Sequence, residues 1–120
     1  MSALRLLIVD DFPQVRMDLR MALTLAGGIV VAGEASNGLE AVDLAARLQP
    51  DIVLLDLEMP VLDGYEAARR IKQARPSCRV VALTVHGDEA ARRNAASAGI
   101  DDFIVKGAPL ETMMRALSAR

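Results

Sequence analysis

At 120 residues the chain is long enough for one domain with a single buried core, and too short for much more. Its 14 basic and 16 acidic residues leave a net charge of −2, and the basic residues are dispersed, which excludes a nucleic-acid footprint of clustered Lys and Arg. No apolar run reaches the roughly eighteen residues of a membrane span, no secretory signal is visible, and a lone Cys78 rules out an internal disulfide; a cytoplasmic domain with no membrane partner is expected.

In chain order, Leu6-Leu7-Ile8-Val9 reads as a strand buried on both faces that runs into Asp10-Asp11. Residues 13–26 open with Pro13, a good first-turn residue, and put Val15, Leu19, Ala22, Leu23 and Ala26 on one helical face before Gly27-Gly28 ends the segment. Ile29-Val30-Val31-Ala32 is strand-like and leads to Glu34-Ala35, where Glu34 reads as surface. Asn37 followed by Glu40 resembles a capping pair; Leu39, Val42 and Ala46 then share one face, and Pro50 stops the helix. Ile52-Val53-Leu54-Leu55 is the next strand and ends at Asp56.

Residues 57–64 form a loop by their Pro and Gly content, and a third helix covers roughly 64–74. Val80-Val81-Ala82-Leu83 ends at Thr84, and His86-Gly87-Asp88 is a loop with a cap. Residues 89–98 favour a helix by propensity but have a thin, Ala-rich apolar face. Phe103-Ile104-Val105 ends at Lys106, and Leu110, Met113, Met114 and Leu117 form the buried stripe of a last helix after Pro109.

Five repeats of strand then helix imply an α/β, doubly wound parallel sheet with right-handed crossovers and helices on both faces. Ligands of such sheets bind at the C-terminal strand ends. Four of the runs stop there at Asp10-Asp11, Asp56, Thr84 and Lys106, so five polar residues spread along the chain are brought to one edge.

Two carboxylates ~5 Å apart repel by about 3 kcal/mol at an effective dielectric near 20, so three of them need something positive among them. Oxygen-only ligands with spare positions suit Mg²⁺, and a carboxylate beside it can act as a nucleophile towards phosphorus. Lys106 offers a cation and Thr84 a hydroxyl donor for phosphoryl oxygens, completing a minimal phosphoryl-transfer site. Taken singly, an Asp, Thr or Lys after a strand is an ordinary cap, turn or surface residue, Asp10-Asp11 excepted; the joint pattern carries the argument. His86 has no second ligand nearby and reads as an exposed loop residue, Cys78 as structural, and the Met17/Met21 and Met113/Met114 pairs as packing.

Asp10-Asp11, the segment Asp56-Leu57-Glu58-Met59-Pro60…Asp63-Gly64, Thr84 and Lys106 resemble the receiver domain of bacterial two-component response regulators along the whole chain, 1–120. The resemblance implies a flavodoxin-like five-stranded sheet of order 2-1-3-4-5 with five helices. It implies that Asp56 takes a phosphoryl group from a sensor histidine kinase, and that the domain is a switch, not an enzyme acting on other substrates. It implies Mg²⁺ held by Asp11, Asp56 and the Glu58 backbone carbonyl, with Asp10 contributing through water, and Thr84 and Lys106 on the phosphoryl group. Phe103 matches the family's switch aromatic, with a permanently buried core phenylalanine as the competing reading.

Three residues depart from the usual pattern: Gly107 follows Lys106 where many receivers have Pro, Val85 is larger than usual, and Glu58 adds a negative side chain. The stretches around Thr84–Glu89 and Val105–Ala108 resemble receivers that precede a helix-turn-helix domain, so regulation of transcription is expected through a DNA-binding domain absent from this sequence, with a stand-alone receiver as the alternative. The last two helices and the strand between them are the expected output surface, where the phosphorylated form would dimerise. An aspartate-nucleophile phosphatase or phosphotransferase of the haloacid-dehalogenase type fits less well, because Glu58 stands where a second Asp is usual. A flavin binder would need a phosphate loop where Asp10-Asp11-Phe12-Pro13 stands, and an interaction-only pseudo-receiver would not need all five site residues.

Overall fold

The computed structural model describes residues 3–85 and 87–118. Its elements follow the order β1 (Leu4–Val9), α1 (Pro13–Ala26), β2 (Ile29–Ala35), α2 (Gly38–Leu48), β3 (Ile52–Asp56), α3 (Gly64–Ala74), β4 (Arg79–Thr84), α4 (Glu89–Ser97), β5 (Asp102–Val105) and α5 (Leu110–Ser118). The strands form one parallel sheet of order β2-β1-β3-β4-β5. The expected strand–helix alternation and strand order are therefore both present.

Because side chains alternate across a strand, β1 divides its apolar residues between two cores. Leu7 and Val9 pack with Val53 and Leu55 beneath α2 and α3, through Ala41, Ala45, Ala67, Ala68 and Ile71. Leu6 and Ile8 pack with Leu54, Val81 and Ile104 beneath α1 and α5, through Leu23, Met113 and Leu117. β1, β3 and β4 are buried on both faces, as their continuous apolar runs require. β5 is different: as an edge strand it buries only Ile104, and Val105 is exposed.

Several helix faces depart from the periodicity reading. On α2 the buried residues are Gly38, Ala41 and Ala45, while Leu39 is half exposed and Ala46 lies outside. The small Ala41 and Ala45 take the fully buried positions, and the larger Val42, Leu44 and Leu48 pack against the same core while staying partly buried, Val42 as expected. On α1 only Leu23 is fully buried and Ala26 is exposed; Met17 and Met21 project outward instead of packing. Leu110 is likewise exposed at the start of α5, although Met113 and Leu117 are buried.

The loop after β3 is tightly fixed. Asp63 caps α3 by accepting from the Glu66 amide at 2.9 Å. A Cβ on Gly64 would lie 2.6 Å from both the Asp56 carbonyl oxygen and the Leu57 Cα, so only glycine lets α3 start this close to the β3 end. At the other side of the loop, a Cβ on Gly38 would lie 2.1 Å from the Leu62 carbonyl oxygen. Asn37 and Asp88 cap α2 and α4 in the same way, both at positions expected to cap. His86 lies outside the described residues.

Candidate functional site

Parallel strands end together, and here the β1, β3, β4 and β5 ends carry Asp10-Asp11, Asp56, Thr84 and Lys106 to one edge. Backbone bonds lock the edge in register: the Asp10 amide donates to the Ala35 carbonyl, Leu57 to Leu83, and Lys106 to Thr84 at 2.7 Å. Carboxylate oxygens of Asp10, Asp11 and Asp56 all lie within 4.8 Å of one another. Asp10 and Asp56 are almost completely buried, at 0% and 1% exposure, as is Thr84; Asp11 is intermediate.

Each buried aspartate uses one oxygen to hold its own loop. Asp10 Oδ1 accepts from the Phe12 amide at 2.9 Å, and Asp56 Oδ1 accepts from the Glu58 amide at 3.0 Å. Their second oxygens, with Asp11 Oδ1, are buried and accept no hydrogen bond among the described residues. Lys106 Nζ stands 3.5 Å from Asp10 Oδ2 and 3.4 Å from Asp56 Oδ2, close enough to pair electrostatically. One ammonium against three carboxylates leaves the site short of positive charge. Three convergent oxygens without hydrogen-bond donors are the donor set that a hard divalent cation accepts.

Burial raises the Asp56 carboxyl from its ordinary 3.8 to about 7; the Glu58 amide and Lys106 work against this, while Asp10 and the Glu58 side chain add to it. Burial also pulls Lys106 down, but Asp56 and then Asp10 outweigh it, and its net shift is upward. Elsewhere, burial raises the free Cys78 thiol, which suits a structural residue.

Three features lay beyond the sequence reading. The Glu58 side chain, read there only as a nearby charge, accepts a hydrogen bond from the Thr84 hydroxyl. Glu34 stays out of the acidic cluster as expected, but it is not simply surface: it is half-buried and pairs with Arg16 and Arg20 of α1. Arg16 in turn donates to the Asp10 carbonyl. Phe103 is half-buried, its ring covered by the Arg92 guanidinium at 5.0 Å from the centroid, so it is not a sealed core residue. The Lys106–Gly107 peptide is trans, and Gly107 takes φ +91°.

A cavity of about 440 Å³ lies at the opposite edge of the sheet beside Asp51, Lys72, Arg75 and Arg79. Lys72 is paired there with Asp101, and Arg79 with Asp102, so it lacks the concentrated charge of the acidic edge.

Residues 6–118 match the model of the response regulator receiver domain family. The chain is 35% identical over 112 residues to the nitrate/nitrite response regulator protein NarL of Escherichia coli, covering 93% of this chain and 52% of that protein. It is 43% identical over 102 residues to the chemotaxis protein CheY of Thermotoga maritima, covering 85% of this chain and 84% of that protein. A LuxR-family two-component response regulator from Aurantimonas superposes with a TM-score of 0.93 at 33% identity, over 98% of this chain and 84% of that one. The chain thus spans about half the length of curated relatives such as NarL. With this match over nearly its whole length, the chain belongs to the response regulator receiver domain family of two-component signalling.

Proposed function

We propose that residues 1–120 form one receiver that is switched by phosphorylation of Asp56. The observation that carries this is the acidic edge itself: three carboxylate oxygens without hydrogen-bond donors, beside a single lysine. Asp10, Asp11 and Asp56, with the Glu58 carbonyl, would hold Mg²⁺, which when bound neutralises the carboxylates and the incoming phosphoryl oxygens. With the cluster neutralised, Asp56 is ionised at neutral pH and presents a nucleophilic oxygen. That oxygen forms a bond to phosphorus while the phosphorus–nitrogen bond to a kinase phosphohistidine breaks, and the imidazole leaves with the electron pair. Lys106 and Thr84 then hold two of the transferred oxygens.

The output follows from the Thr84 edge. Thr84 ends β4, and Phe103 lies on the neighbouring β5 under Arg92 of α4, so a shift of Thr84 is felt by α4 and β5. Exposed Val105 and Leu110 make the α4–β5–α5 face the surface for a homodimer of the phosphorylated form. The output is transcription regulation, through a DNA-binding domain in a longer protein of the NarL kind, and the setting is the cytoplasm. Among the described residues no helix is long and apolar enough to cross a membrane.

Acetyl phosphate with Mg²⁺ should add one phosphoryl group to the intact chain, with acetate as the leaving group, and Asp56→Asn should take none. An adduct that persists in Asp56→Asn, or none in the parent chain, overturns the reading.

A further inference from the structure

The Thr84 hydroxyl has one proton, and in this structure that proton goes to Glu58. Glu58 lies two residues beyond Asp56 in a loop that its own amide ties to Asp56 Oδ1 at 3.0 Å. The hydrogen bond therefore closes a short ring: acceptor aspartate, loop, Glu58 carboxylate, Thr84. Thr84 is 1% exposed at the end of β4, whose neighbour β3 ends at Asp56. An anionic oxygen already stands where a donor from Thr84 can reach it.

A phosphoryl group on Asp56 would present anionic oxygens to the same hydroxyl. One proton cannot serve both acceptors, so the Glu58 bond must break as the new one forms. We infer that Glu58 is a positioning residue: its carboxylate holds the Thr84 hydroxyl in the unphosphorylated chain and is exchanged for the phosphoryl group during activation. The inference rests on the reading of Asp56 as phosphoryl acceptor.

Two consequences follow. Thr84 gains only the difference between two charge-assisted hydrogen bonds, so it contributes less to phosphorylation here than in a chain where its hydroxyl faces water. Glu58, already exposed, loses its side-chain tie to β4 on release, which loosens the loop before α3. Plain repulsion of an incoming phosphodonor by Glu58 would also slow phosphorylation. The two causes differ in one respect: repulsion does not need Thr84.

A double-mutant cycle separates them. The rate of Asp56 adduct formation from acetyl phosphate with Mg²⁺ is read by intact mass for the parent chain, Glu58→Ala, Thr84→Ala and the double variant. Glu58→Ala should accelerate the reaction by about three- to tenfold, and the gain should shrink to less than about twofold when Thr84 is already Ala. Equal gains in both backgrounds, or no gain in either, overturn the inference. The second readout needs neither metal nor phosphodonor: the Thr84 methyl resonance should move in Glu58→Ala and stay near its parent position in Glu58→Gln, whose amide oxygen still accepts. A methyl that ignores Glu58→Ala also overturns it. A parent chain that takes up no phosphoryl group fails at the first step and overturns the receiver reading itself, an outcome distinct from an adduct that forms without coupling.

Discussion

Arg16 Nη1 donates a 2.7 Å hydrogen bond to the backbone carbonyl of Asp10. Its Nε pairs with Glu34 at 3.2 Å, so one guanidinium clamps the turn after β1 to the end of β2. The side chain is only 17% exposed, which places this bond in the range where a charged donor matters. Arg16→Ala should cost about 1–3 kcal/mol in urea unfolding. Arg16→Lys should recover less than half of that, because an ammonium lacks the planar fork that reaches both partners. Arg20 also pairs with Glu34 but is half exposed, and its loss should cost under about 1 kcal/mol. Equal effects at Arg16 and Arg20 would remove the Asp10 carbonyl from the account.

The raised Asp56 carboxyl sets a pH dependence with a definite sign. Folded, it keeps its proton up to about pH 7; unfolded, it releases it near its ordinary 3.8. Unfolding therefore releases a proton between those values, and stability is lost as pH rises through that window. In EDTA the parent chain should lose stability towards pH 7 with a slope approaching about 1.4 kcal/mol per pH unit relative to Asp56→Asn. Lys106→Met removes the cation that opposes the shift and should carry the Asp56 midpoint further up, as read by carboxyl NMR. Parallel pH profiles for the parent and Asp56→Asn chains would show that Asp56 is not desolvated.

A divalent cation should reverse that penalty. Asp10, Asp11 and Asp56 each present a buried oxygen without a donor, and binding only to the folded state stabilises it by mass action. Millimolar Mg²⁺ should raise the melting temperature, and Asp11→Ala should abolish the rise. Asp11 is the informative choice because, unlike Asp10 and Asp56, it has no ion pair with Lys106. An unchanged response in Asp11→Ala would take Asp11 out of the metal site.

The strand ends were legible in the sequence because a buried parallel strand demands an unbroken apolar run, and its first polar residue marks the edge. Asp10, Asp56 and Thr84 are where those runs stop. The α2 face is only partly legible: Val42 packs inward as expected, but periodicity weights Leu39 above Ala41 and Ala45, whereas close packing against neighbouring elements gives the fully buried positions to the small residues. Glu34 and Met17 were misplaced for a related reason: pairing between α1 and β2, and the outward turn of α1, are set by tertiary contacts. The Glu58–Thr84 bond joins residues on different elements, and no local pattern announces it. The Asp63 cap was within reach, since Asp63 with Glu66 three residues on before an apolar segment is a helix-start signal.

Val61 adopts φ +73° in the loop that follows β3, although its side chain is 73% exposed and gains little from burial. A β-branched residue in the left-handed region carries a steric cost of about 1–2 kcal/mol that exposure does not repay. Asparagine tolerates this conformation, so Val61→Asn should raise stability by about 0.5–1 kcal/mol. Val61→Gly removes the same clash but gives the unfolded chain more freedom, so its gain should be smaller. The order Asn above Gly above Val in chemical denaturation tests the backbone strain directly. A loss of stability in both variants would mean that Val61 makes contacts in solution that outweigh its backbone conformation.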